Sequence, residues 1–146
     1  MLRVFLDANI YFAGFVSKEG ASHLLLEIAG RDKIQLYSSK LVLREAERNL
    51  RLKSAPGNLK SFHRYLQKTK IHVVPFPDDK ITAPYEALLH PKDLPVLGAA
   101  MISKSDYLIT LDKRHFLTKA LPSKIKKPAI LTPGDFIRQI VVKGRL

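Results

Sequence analysis

At 146 residues and 46% apolar composition, the chain is long enough to bury a core and too short for two comfortable domains, so one domain spanning 1–146 is expected. Its 25 Lys and Arg against 13 Asp and Glu give a net charge of +12, which points to a polyanionic partner, nucleic acid being the commonest; a solubilising surface or a basic face for an acidic protein is the plainer alternative. No apolar run reaches the roughly 18 residues that cross a bilayer, and the lack of cysteine excludes disulfides, thiolate nucleophiles and zinc–thiolate sites, which fits the cytoplasm.

The opening stretch MLRVFLDANIYFAGFV has the hydropathy of a signal peptide, but Asp7 and Asn9 interrupt it and no small-residue cleavage site follows. It reads instead as a buried strand over 4–6 and a helix over 10–15. A second helix is expected over 21–29, where Leu24, Leu25 and Ile28 share a face and Gly30 stops it. Residues 34–37 form a second strand, and Ser38 or Ser39 caps a helix over 40–52. Pro56-Gly57 punctuates, and Leu59, Phe62, Tyr65 and Leu66 give the stretch 59–69 an amphipathic face.

Ile71–Val74 is a third strand closed by Pro75 and Pro77, and a short helix is expected over 81–89. The helix over 94–103 tolerates Pro95 in its first turn and is apolar nearly all round, so it should be buried. A fourth strand follows over 107–110, a fifth at Ala129–Leu131, and a last short helix over 136–141. Strands that alternate with helices and run apolar without alternation indicate an α/β sandwich around a parallel sheet.

In such a sheet the functional crevice lies at the carboxyl ends of the strands. Asp7 follows the first strand, Glu45 sits one turn into the helix after the second, Asp93 opens the helix that feeds the fourth, and Asp112 stands just past that strand. Four acids gathered in so basic a chain repel one another unless a divalent cation offsets the charge. Hard oxygen ligands suit Mg²⁺ or Mn²⁺, which polarise a phosphoryl group and acidify a bound water. Each acid also has a plainer reading: Asp7 and Asp93 as helix caps, Glu45 as a solvated helix residue, Asp112 as an exposed turn residue. Their joint placement favours the metal. Asp106 and Asp135 read as a strand-entry turn and an N-cap, and Asp78 and Asp79 as loop charges.

The segment MLRVFLDANIYFAG resembles the opening of PIN domains, and PKDLPVLGAAMISKSDYLITLDKRHF resembles their carboxy-terminal signature of Asp, Ala-rich helix, and strand ending Thr-x-Asp. The resemblance spans essentially the whole chain. It implies a Rossmann-like α/β/α sandwich with a five-stranded parallel sheet and a Mg²⁺- or Mn²⁺-dependent endoribonuclease. Single-domain members are commonly VapC-type toxins of toxin–antitoxin pairs, usually dimeric and silenced by a cognate antitoxin. Carried over by position, Asp7, Glu45, Asp93 and Asp112 are the catalytic metal-binding acids, with Asn9 and Thr110 as supports. His90 departs from the family pattern, since many relatives carry an acid there.

Arg44, Arg48 and Arg51 share one helix face near Glu45, and Lys113, Arg114 and His115 follow Asp112, so these are the candidate phosphate contacts. For the arginines a solvated face is the plain alternative, and Phe116 reads as a core anchor rather than a base platform. Two rival functions stay open. One is a catalytically silent module that binds RNA or protein; the other is a metal-dependent DNA nuclease or phosphohydrolase. The absence of a Gly-rich phosphate loop argues against a kinase or ATPase.

Overall fold

Five short parallel strands, β1 (Arg3–Leu6), β2 (Gln35–Ser39), β3 (Ile71–Val74), β4 (Tyr107–Ile109) and β5 (Ala129–Leu131), form one sheet in the order β3-β2-β1-β4-β5. The computed structural model describes residues 1–146. The chain builds outward from β1 through β2 to β3, then crosses back to place β4 on the other side of β1. That reversal opens a crevice at the carboxyl ends of β1 and β4. The register Leu6↔Ile109 brings the two strand ends level, and the Asp7 amide donates to the Ile109 carbonyl at 3.0 Å.

The helices are α1 (Ala8–Val16), α2 (Ala21–Gly30), α3 (Lys40–Lys53), α4 (Pro56–Lys68), α5 (Asp79–Thr82), α6 (Leu94–Ile102), α7 (Ala120–Lys124) and α8 (Pro133–Phe136). Val4, Phe5 and Leu6 are fully buried, as an inner strand covered on both faces demands. On α6, Val96 through Ala100 are all buried, in keeping with its all-round apolar sequence. Gly98 lets the chain after β3 approach this helix: a Cβ there would lie 2.8 Å from the ring carbons of Pro77. Tyr11 and Phe15 of α1 meet Phe62 of α4 edge to face at 5.8 and 5.7 Å, which adds about 0.5–1.5 kcal/mol per pair to the area they bury.

Several expectations shift. Pro56-Gly57 opens α4 instead of breaking the chain, because proline at the first helical position loses no bond. The helix expected over 81–89 is only α5 and a single 3₁₀ turn, Ala83–Tyr85, with Pro84 lacking a donor to carry it further. Thr132, not Asp135, caps α8, its Oγ1 accepting from the Asp135 amide at 3.0 Å. The helix expected over 136–141 is instead α8 followed by a wider π-turn, Ile137–Val141. α7 lies in a stretch read as loop; buried Leu121 anchors it. Phe116 is fully buried, a core anchor. No helix is long and apolar enough to cross a membrane.

Candidate active site

Asp7 is the first residue beyond β1, and its extended backbone makes it the N-cap of α1. One carboxylate oxygen, Oδ1, accepts from the Ala8 amide at 2.8 Å. The other, Oδ2, accepts from the Thr110 hydroxyl at 2.9 Å and from the Asn9 side-chain amide at 3.4 Å. Thr110, fully buried at the end of β4, in turn accepts from the Asp112 amide at 3.0 Å. Asn9 Oδ1 accepts from the Leu111 amide at 3.1 Å. These bonds tie the ends of β1 and β4 together and fix the direction in which Asp7 points. Capping and a site role therefore coexist in one side chain.

Only 8% of Asp7 is exposed. Burial raises its pKa to about 6; the bonds from Thr110 and Ala8 oppose this, while the charges of Glu45 and Asp93 add to it.

Asp93 ends a 3₁₀ turn, Pro91–Asp93, and precedes α6, yet its side chain caps nothing. Its Oδ2 is buried and makes no hydrogen bond. An oriented carboxylate oxygen without a donor is costly unless a charged ligand meets it. Burial raises the Asp93 pKa, and the neighbouring charge of Asp112 raises it further; His115, Lys92 and His90 act the other way.

Asp112 holds its own turn together. Its Oδ1 accepts from the Arg114 and His115 amides, both at 3.0 Å, and its Oδ2 accepts from His115 Nδ1 at 3.0 Å. The same imidazole nitrogen lies 3.4 Å from Asp93 Oδ2. One ligand atom each from Asp93, Asp112 and His115 can be chosen so that all lie within 4.8 Å of one another, a spacing one cation can span. Asp7 and Glu45 face the same cleft from outside this tight group.

The cleft, about 510 Å³, is walled on one side by α3, whose Leu41, Arg44, Glu45, Arg48 and Asn49 form a single stripe. Lys92 and His115 also line it. Of the expected site residues, Asp7, Asn9, Glu45, Asp93, Asp112, Arg44 and Arg48 meet in this cleft, with Thr110 beneath. Arg51 stands outside the cleft lining, 3.6 Å from Glu47, and Lys113 and Arg114 are exposed beyond the cleft wall. Sequence reasoning passed over Lys92 and Asn49. It placed His115 among the phosphate contacts, where the structure puts it between two acids. Its position three residues after Asp112, within one turn, was the available signal.

A model of the PIN domain matches residues 3–114, a span that contains Asp7, Glu45, Asp93 and Asp112. The chain belongs to the PIN-domain family. Proteins of this family are typically nucleases. Among solved structures, the crystal structure of VapBC2 from Rickettsia felis bound to a DNA fragment from their promoter has a chain similar to this one, with a TM-score of 0.62 and 17% identity. The match covers 89% of this chain and 97% of that one, a likeness of fold that extends through the all-parallel five-stranded sheet. No curated protein sequence matches the chain.

The donor set of the PIN cleft, carboxylates and one imidazole, is of a kind that could hold a metal ion, and Asp93 Oδ2 has no hydrogen bond to satisfy it.

Proposed function

We propose that this PIN-domain protein is a Mg²⁺- or Mn²⁺-dependent endoribonuclease that hydrolyses RNA phosphodiester bonds, residues 1–146 acting as one nuclease domain. The observation that carries this reading is the buried Asp93 Oδ2, which makes no hydrogen bond and lies 3.4 Å from the His115 imidazole, in a cleft lined by four acids together with Arg44, Arg48 and Lys92. Asp7, Glu45, Asp93 and Asp112 would hold the metal, with His115 as a nitrogen donor or as the group that orients Asp112. When bound, the ion supplies Lewis acidity toward the phosphodiester and its attacking water.

The protein's own residues do the rest. Thr110 and Asn9 hold Asp7 in a single orientation, so no reorganisation is needed when charge develops at the phosphate. Arg44, Arg48 and Lys92 stand over the cleft and attract the phosphate backbone, while Arg51, Lys113 and Arg114 extend the positive field beyond its mouth. Acids for the metal and cations for the phosphodiester chain thus share one cleft.

The resemblance to VapC-type toxins and the fold likeness to VapBC2 support a role as the toxin of a toxin–antitoxin pair, working as a cytoplasmic homodimer restrained by an antitoxin protein. Cleavage of end-labelled single-stranded RNA with Mg²⁺, Mn²⁺ or EDTA, beside Asp93→Asn, tests the catalytic reading. Wild type is expected to cut only with metal, and the folded variant to lose about 10²–10³-fold, the range seen when one transition-state charge partner is removed. Wild-type protein that binds RNA with metal present and never cuts it would overturn the enzyme in favour of a binding module.

A further inference from the structure

Beside the acidic cleft, on the far side of Leu41 and Arg44, runs a second groove of about 670 Å³. Both residues line both depressions, so the two adjoin. Their chemistry differs sharply. The first holds four acids; the second holds none, only Lys40 and Arg44 as charges, with walls from the end of β3 and the following Pro75-Phe76-Pro77.

Phe76 is the one phenylalanine left in water, 71% exposed, while Phe5, Phe62, Phe116 and Phe136 are fully buried and Phe12 and Phe15 half-buried. Its backbone is held. Pro75 and Pro77 flank it with fixed φ, and Pro77 is buried against Gly98 of α6, where a Cβ would come within 2.8 Å. A restrained backbone lowers the entropy cost of using an exposed aromatic ring in binding. Cations along a groove with an aromatic face beside them match what single-stranded nucleic acid demands, phosphates on the charges and a base on the ring.

We propose that this groove is a nucleobase subsite, in which Phe76 stacks on a base of the RNA strand whose phosphate lies at Arg44, a few nucleotides from the scissile bond. The inference rests on the ribonuclease reading above and adds a second contact region to it. A ring on a tethered loop reads base shape and stacking strength, so the subsite biases which sequence is presented to the acids.

The test measures binding of a fluorescein-labelled 12-nucleotide RNA in EDTA, where nothing is cut, by anisotropy. Phe76→Ala is expected to weaken binding about tenfold, and Phe76→Trp to stay within about twofold of wild type, since base–aromatic stacking tolerates the exchange of rings. Replacing one base of the RNA by an abasic site should cost wild type about tenfold at a single position and cost Phe76→Ala nothing there. Circular dichroism and melting of Phe76→Ala should match wild type, because the ring buries little surface.

An unchanged affinity in Phe76→Ala overturns the subsite while wild-type binding and cleavage keep the ribonuclease reading intact. A variant that binds RNA normally but sediments at a lower mass than wild type also overturns it, assigning Phe76 to contact with a second copy. Wild type that neither binds nor cuts RNA overturns both readings together.

Discussion

Asp7→Asn should stabilise the metal-free protein while destroying its activity, and the size of the effect follows from the site. Burial and the charges of Glu45 and Asp93 raise the Asp7 carboxyl from 3.8 to about 6. The folded state therefore holds a proton that the unfolded chain releases across that window, and ionised Asp7 costs stability increasingly as pH rises from about 4 to about 6. At pH 7.5 the full cost is about 3 kcal/mol, from ~1.4 kcal/mol for each tenfold change in proton affinity. Asparagine removes the charge and keeps an oxygen for the Ala8 cap, but its NH₂ group faces the Thr110 hydroxyl and the Asn9 amide, which each lose an acceptor at about 1 kcal/mol.

The net gain is about 1 kcal/mol, or roughly 2–4 °C in Tm for a chain of this size. Thermal melts of both proteins in EDTA at pH 7.5 and pH 4 provide the assay. The difference should favour the variant at pH 7.5 and the wild type at pH 4, where Asp7 is mostly protonated and only the lost hydrogen bonds count. Adding Mg²⁺ in millimolar excess should raise the wild-type Tm and leave the variant nearly unmoved, by linkage to a ligand only the folded acid cluster binds. A variant less stable than wild type at pH 7.5 without metal, or an equal difference at both pH values, would refute the claim that burial of charge dominates at Asp7.

Gly98→Ala forces a methyl to within 2.8 Å of Pro77 and 3.1 Å of Thr82 Cγ2, so it should cost about 1–3 kcal/mol and also weaken RNA binding by shifting Phe76, both read by melting and anisotropy. Arg44→Ala should raise the KM for RNA and lower the salt dependence of binding by about one phosphate contact. Arg51→Ala, outside the cleft and beside Glu47, should change KM less than Arg44→Ala does, and equal effects would refute the cleft boundary.

The fold was largely legible because its signals are local. Short unbroken apolar runs such as VFL and YLI read as inner strands, and they occur at intervals that leave room for one or more helices between them. The acids were legible for the same reason: Asp7 and Asp112 interrupt or follow those runs, and a charge at a strand's end must stand at the sheet's edge. Sequence could also say that Asp7 suits a cap, which it is. It could not say that Asp93, equally suited to one, leaves its carboxylate uncommitted, because capping depends on a backbone turn the composition does not specify.

What tertiary structure alone decided is which neighbours share a space. The strand order β3-β2-β1-β4-β5 sets Thr110 against Asp7 across 103 residues of chain and delivers His115 between Asp93 and Asp112. Arg44, Arg48 and Arg51 repeat at helical spacing, but only the packing of α3 beside the cleft determines that the first two line it while the third lies beyond it, beside Glu47. Phe76 carries the clearest case. Hydropathy assigns a phenylalanine to the core, and only the seating of Pro77 against Gly98 leaves this one in solvent beside the site. Residue type and period fix what an element is; the path of the chain between elements fixes what its side chains meet.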